Sequence, residues 1–241
     1  MLNPSVAARR PLTGILALWD STIGKKFVMA ITGIILFVYV ILHLWGNLKI
    51  YGGASTVNGW AHFLRVFGDP VFSYSVVLWI VRVILIVSLV LHITAAYQLT
   101  RRDWASRPVG YEKWTAQEST YASRTMRWGG IFILLFIIYH ILDLTTGTLH
   151  PSNFAKYQDG NVYSNVIGDF RNWPIAIIYI LAVSILGLHL YHGIWSFCQT
   201  LGWNTTRTSR IWRRVAEVIA IVLTLGNIAI PVTVLAGIIK L

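Results

Sequence analysis

Five stretches of almost unbroken apolar side chains, at about 27–48, 76–99, 128–149, 174–198 and 215–239, divide the chain, with polar, basic or glycine-rich connections between them. A helix of about 20 residues is needed to cross a hydrocarbon core of roughly 30 Å, and each stretch is long enough. The pattern therefore predicts an all-α integral membrane bundle of five transmembrane helices, forming a single membrane domain over residues 1–241. Local signals sharpen the ends. Span one follows Lys25-Lys26 and stops at Gly46-Asn47, while Trp173-Pro174 starts span four with a proline in its first turn. Pro231 is expected to kink span five, and Gly33 offers span one a site of close helix approach. Between spans one and two, residues 58–65 are expected to form a short surface helix capped by Asn58. Residues 1–26 form a basic lead-in without the compact apolar core of a cleaved signal peptide, and Ile15–Trp19 suits the membrane interface.

Composition excludes the ordinary soluble alternative, because 56% of side chains are hydrophobic, 12% are charged and the mean hydropathy is +0.62. Charge placement then gives the orientation. Fourteen of the twenty basic residues fall on one side: Arg9, Arg10, Lys25 and Lys26 before span one, six between Arg101 and Arg127, and four between Arg207 and Arg214. By the positive-inside rule the N-terminus is cytoplasmic and the C-terminus outside. The loop 101–127 also carries Trp104, Tyr111, Trp114 and Tyr121, a surface suited to a cytoplasmic protein partner; no nucleic-acid partner is expected.

Ionisable rings in hydrocarbon are costly and are seldom idle. His43, His92, His140 and His189 each lie deep in a different span, with His192 one turn beyond His189. At 1.5 Å per residue, His43 and His140 lie roughly 24 and 18 Å from the cytoplasmic end, and His92 and His189 roughly 12–14 Å from it. Depth thus pairs His43 with His140 and His92 with His189, or with His192 in its place. Two imidazoles from facing helices can hold a haem iron from both sides without irregular backbone in the bilayer. With a lone Cys198, iron–sulfur and covalent c-type haem ligation are excluded, and that thiol is expected to be inert. A zinc or copper site would need ligands converging on one point, and a transporter or proton relay would bring more internal carboxylates and broken helices. His62, outside the spans, is not expected to be a ligand. Arg82 has two readings, a side chain snorkelling to the interface or a partner for a cofactor carboxylate. Asp143, one turn after His140, is the only carboxylate in the interior of a span, Glu217 lying near the inner end of span five, and is a candidate proton or quinone site.

The segments Lys25-Lys-Phe-Val-Met-Ala-Ile-Thr-Gly33, His43-Leu-Trp-Gly-Asn-Leu48, His189-Leu-Tyr-His-Gly-Ile-Trp-Ser196 and Gln199-Thr-Leu-Gly202 resemble the cytochrome b anchor of succinate:quinone oxidoreductases. The likeness is to the branch with one five-helix polypeptide and two haems, cytochrome b558. It implies that His43, His92, His140 and His189 are the axial ligands of two b-type haems, and that His189 rather than His192 is the ligand, standing four residues before Gly193. It implies a flavoprotein and an iron–sulfur subunit as partners on the cytoplasmic side of the cell membrane, and a quinone, menaquinone in this branch, as electron acceptor or donor. The chain departs from some relatives in having no acidic residue in span four, which argues against a proton path there and leaves the quinone site unassigned. The alternatives are a dihaem b subunit of another membrane dehydrogenase, such as a hydrogenase or formate dehydrogenase, and a haem-free transporter.

Overall fold

The computed structural model describes residues 14–106, 121–149 and 161–241. Arg9, Arg10, Arg107, Tyr111, Lys113, Trp114 and Lys156 lie outside the described residues. Every regular element among the described residues is helical, and five helices are long and apolar enough to cross a membrane. The chain is a multi-pass membrane protein.

A short helix α1 (Ile15–Asp20) leads into Ser21, whose Oγ accepts the Gly24 N–H at 2.8 Å and so starts α2 (Thr22–Asn47). Lys25 is buried because it folds back, donating to the Trp19 carbonyl with its ammonium 4.8 Å from the Trp19 ring centre. After α2 a single turn of 3₁₀ helix reaches Gly53, whose φ of 84° reverses the chain. The surface helix α3 (Ala54–Val66) therefore begins four residues before Asn58, which is not its cap. Instead Asn58 binds across the end of the bundle remote from α1, called the outer end, accepting the Tyr163 N–H and donating to Asn161 Oδ1, both at 3.1 Å. Its target is the start of α6 (Val162–Phe170), a helix in a connection whose Asn, Asp and Gly content reads as loop.

The remaining spans are α4 (Val76–Ala105), α5 (Tyr121–His140), α7 (Trp173–Thr200) and α8 (Ser209–Leu235), which continues through Pro231. A π-turn, Ile141–Thr145, extends α5 at its outer end. Packing runs α4 on α2, α2 on α7 and α7 on α5, with α8 lying against α7 and α2. The four histidine-bearing helices thus form an open ring, in which α4 and α5 hardly touch apart from the Asp103–Arg127 ion pair at the inner end.

Lipid inverts the usual distribution of side-chain sizes. α4 turns Val83, Ile86, Val87 and Val90 outward and buries Ser88 and Ala95, while α7 buries Ala176, Ala182 and Gly187. Without a hydrophobic force between helices in a bilayer, small residues at contacts let backbones approach and gain dispersion energy. The tightest case is Gly187, where an added Cβ would collide with the Thr224 side chain of α8. Gly187→Leu is expected to cost more than the 1–3 kcal/mol of ordinary overpacking, seen as lower thermal stability of the purified chain. Gly59→Ala, with nothing within 4 Å of the new methyl, is the neutral control.

Candidate cofactor site

Both histidine pairs meet across the diagonals of the ring. His43, on the last turn of α2, faces His140, the last residue of α5, with ring centres 5.8 Å apart and planes at 89°. In the inner half His92 of α4 faces His189 of α7 at 6.3 Å and 60°. His192 is not part of that pair; its ring lies edge-on to Trp195 at 6.5 Å. His62 is exposed on α3, and Cys198 is buried in the apolar interior.

A transition metal binds an imidazole nitrogen at about 2 Å, and the ring centre lies about 1 Å behind that nitrogen. Two imidazoles on opposite faces of one metal ion therefore have centres about 6 Å apart, as both pairs do. Hydrogen bonds orient the rings for that role. His92 donates from Nδ1 to the Met29 carbonyl at 3.1 Å, with Thr32 Oγ1 at 3.3 Å, which leaves Nε2 with a free lone pair. His140 Nδ1 lies 3.3 Å from the Tyr179 hydroxyl, and that hydroxyl donates to Asp143 Oδ2 at 2.7 Å. His43 Nδ1 lies 3.4 Å from the hydroxyl of Tyr39, whose ring stacks on it. His189 differs: its Nδ1 is buried with no hydrogen-bond partner among the described residues.

Glycines flank the inner pair. A Cβ on Gly33 would lie 3.2 Å from His92 Cε1, so this glycine meets a histidine ring rather than a helix backbone. Gly130 holds the equivalent place on α5, where an added Cβ would lie 3.9 Å from His189 Cε1, and a Cβ on Gly193 would meet nothing within 4 Å. A cavity of about 270 Å³ opens beside His189 between α5 and α7, lined also by Met126, Gly129, Phe132 and Ile185.

One interval relates the two levels. Gly33 to His43 and Gly130 to His140 are each ten residues, about 15 Å along a helix. Ten residues above His92 and His189 stand Arg82 and Tyr179, which places both at the outer level. Arg82 lies 4.8 Å from the Trp79 ring centre and within electrostatic reach of Tyr39. Asp143 is wholly enclosed, and so is Asp169 of α6. Tyr179, Tyr39, Thr32 and the Met29 carbonyl went unremarked in the sequence, and only the ten-residue interval could have singled out Tyr179.

Chemically, each level presents one facing pair of imidazole rings. No group of three or more His, Cys, Asp or Glu side chains that could hold a metal ion occurs among the described residues. Two imidazoles alone would suit a metal whose other ligands come from a macrocycle, and Gly193, with nothing within 4 Å of an added Cβ, would leave room for its flat edge. The residues therefore fit haem.

Fold and site together define a multi-pass helical membrane protein with two histidine-paired levels. Sequence comparison then supplies the family: residues 106–226 match the succinate dehydrogenase/fumarate reductase transmembrane subunit family, and the chain belongs to it. That match takes in α5 to most of α8, and so contains one histidine of each pair, His140 and His189. No curated protein and no solved structure matches the chain.

Proposed function

We propose that this transmembrane subunit is a dihaem cytochrome b anchor, carrying electrons between the iron–sulfur subunit of succinate dehydrogenase or fumarate reductase and a membrane quinone. The observation that carries the reading is the pair of cross-bundle imidazole contacts, 5.8 and 6.3 Å between ring centres, at two levels. His43 and His140 would hold the outer haem, His92 and His189 the inner one. A b-type haem held by two of these histidines would supply one-electron transfer.

The protein's part is to hold and tune. Met29 and Thr32 fix the proton of His92 on Nδ1, Tyr39 and Tyr179 stand behind the outer rings, and Gly33 and Gly130 keep space beside the inner ones. Arg82, at the outer level, would compensate a haem carboxylate. The basic residues support an N-terminus and inner level on the cytoplasmic side, where the flavoprotein and iron–sulfur subunits would dock. Menaquinone is the expected quinone.

Purification of the chain from native membranes tests this function. The flavoprotein and iron–sulfur subunits are expected to co-purify, and succinate to reduce a b-type absorption band. A chain that co-purifies with a hydrogenase or formate dehydrogenase, or that shows no Soret band, would contradict the proposal.

A further inference from the structure

Among the described residues, His140 alone of the four paired histidines is backed by a carboxyl group, reached through a tyrosine. We infer that Tyr179 and Asp143 form a positioning relay that fixes the proton of His140 on Nδ1, turns its Nε2 toward His43 and lowers the potential of the outer centre alone. This deepens the dihaem reading and rests on it.

The direction of the relay follows from donor counting. A tyrosine hydroxyl has one hydrogen, and Tyr179 gives it to Asp143 Oδ2 at 2.7 Å. What it can offer His140 Nδ1, 3.3 Å away, is a lone pair. His140 must then carry its proton on Nδ1 to complete the chain, and Nε2 is left to face the ring of His43. A hydroxyl whose hydrogen is already committed to a carboxyl group is a better acceptor than an unassisted one, because hydrogen bonds in a chain polarise one another.

The relay is held rigidly. Tyr179 is 6% exposed, with Phe170 at 4.9 Å and Phe136 at 5.1 Å from its ring centre, both edge-on, and Tyr139 and His140 at 6.0 and 5.8 Å. Phe170 comes from α6, so this helix, which nothing in the spans requires, clamps the tyrosine from above. Asp143 is 0% exposed and sits in the π-turn, where one residue more per turn shifts the side chain off the regular α-helical position. Among the described residues the other histidines lack this support. His43 depends on Tyr39, 38% exposed on the lipid side, His92 on a backbone carbonyl, and His189 Nδ1 has no partner among the described residues.

Stronger acceptance at Nδ1 makes the imidazole a more basic ligand and favours the oxidised metal. Tyr179→Phe keeps the ring and its packing and removes the acceptor. Asp143→Asn keeps an acceptor for the Tyr179 hydroxyl and removes the carboxylate. The test is a spectroelectrochemical titration of the purified complex for wild type and both variants. Each variant is expected to retain two haems and to raise one midpoint potential, in Tyr179→Phe by a tenfold change in the oxidised-to-reduced ratio, 59 mV for one electron, and by less in Asp143→Asn. The second potential stays in place. Should Tyr179→Phe shed a haem, the upward shift in Asp143→Asn carries the same expectation. Two haems with both potentials unmoved in Asp143→Asn, or both moved equally, would overturn the relay while leaving the dihaem reading standing. A wild-type complex without haem would overturn both.

Discussion

Alanine at His189 is expected to leave one haem per chain where the proposed dihaem anchor would hold two, and alanine at His192 to leave both. The two residues are three apart on α7, so their side chains diverge by about 60° around the helix axis and lie one turn apart in depth. Only His189 meets His92, with 6.3 Å between ring centres, while His192 packs against Trp195. Removing His189 should cost the fold little, because its buried Nδ1 makes no hydrogen bond with any described residue, and deleting an unpaired polar group relieves a desolvation cost. Any loss of haem in His189→Ala therefore reports ligation rather than collapse. The reading is a haem-to-protein ratio with a reduced-minus-oxidised spectrum. Loss in His192→Ala with full retention in His189→Ala would transfer the ligand role.

Leucine at Gly33 has the second large effect and acts on the same level from the opposite side. Met29, Thr32 and Gly33 are neighbours on α2, and the His92 ring lies along them, bonded to the first two and in close approach to the third. Even a methyl group would stand 3.2 Å from His92 Cε1. A leucine must push the ring away from the Met29 carbonyl and so away from His189. Overpacking of about 1–3 kcal/mol together with a lost hydrogen bond of about 1 kcal/mol gives about 2–4 kcal/mol. At 1.4 kcal/mol per decade that is on the order of 30- to 1,000-fold weaker haem binding, enough to empty the inner level on purification. The outer level, about 15 Å away, should keep its haem, which a single remaining wave in a redox titration would show. Retention of both haems in Gly33→Leu would mean that the group does not lie beside this glycine.

Hydropathy made the five spans legible because lipid leaves a helix no polar face to show, and long apolar runs follow. Their inner ends were less legible. α2 starts at Thr22 and α4 runs to Ala105, beyond the stretches at 27–48 and 76–99, since these turns leave the apolar region and are held by charge, as in the Arg102–Asp20 pair at 3.1 Å. Depth pairs the histidines by level, because a helix converts residue count into height, and the rings of His43 and His140 and of His92 and His189 lie close in the structure. Which of His189 and His192 faces inward is a question of helix rotation, and an all-apolar span has no polar stripe to fix it. The helix α6 escaped notice because its buried face includes Asn165 and Asp169, so burial there breaks the apolar pattern. Tyr179 was silent for a different reason. A tyrosine in an apolar run looks like packing, and its partners His140 and Asp143 lie 39 and 36 residues away in sequence.

The central claim is that two imidazole pairs hold two haems, and haem stoichiometry on the intact, native-purified complex tests it most directly. Two b-type haems per copy of this chain, titrating as two one-electron waves, is the predicted result. One haem or none, in a complex with its partner subunits present, would contradict it.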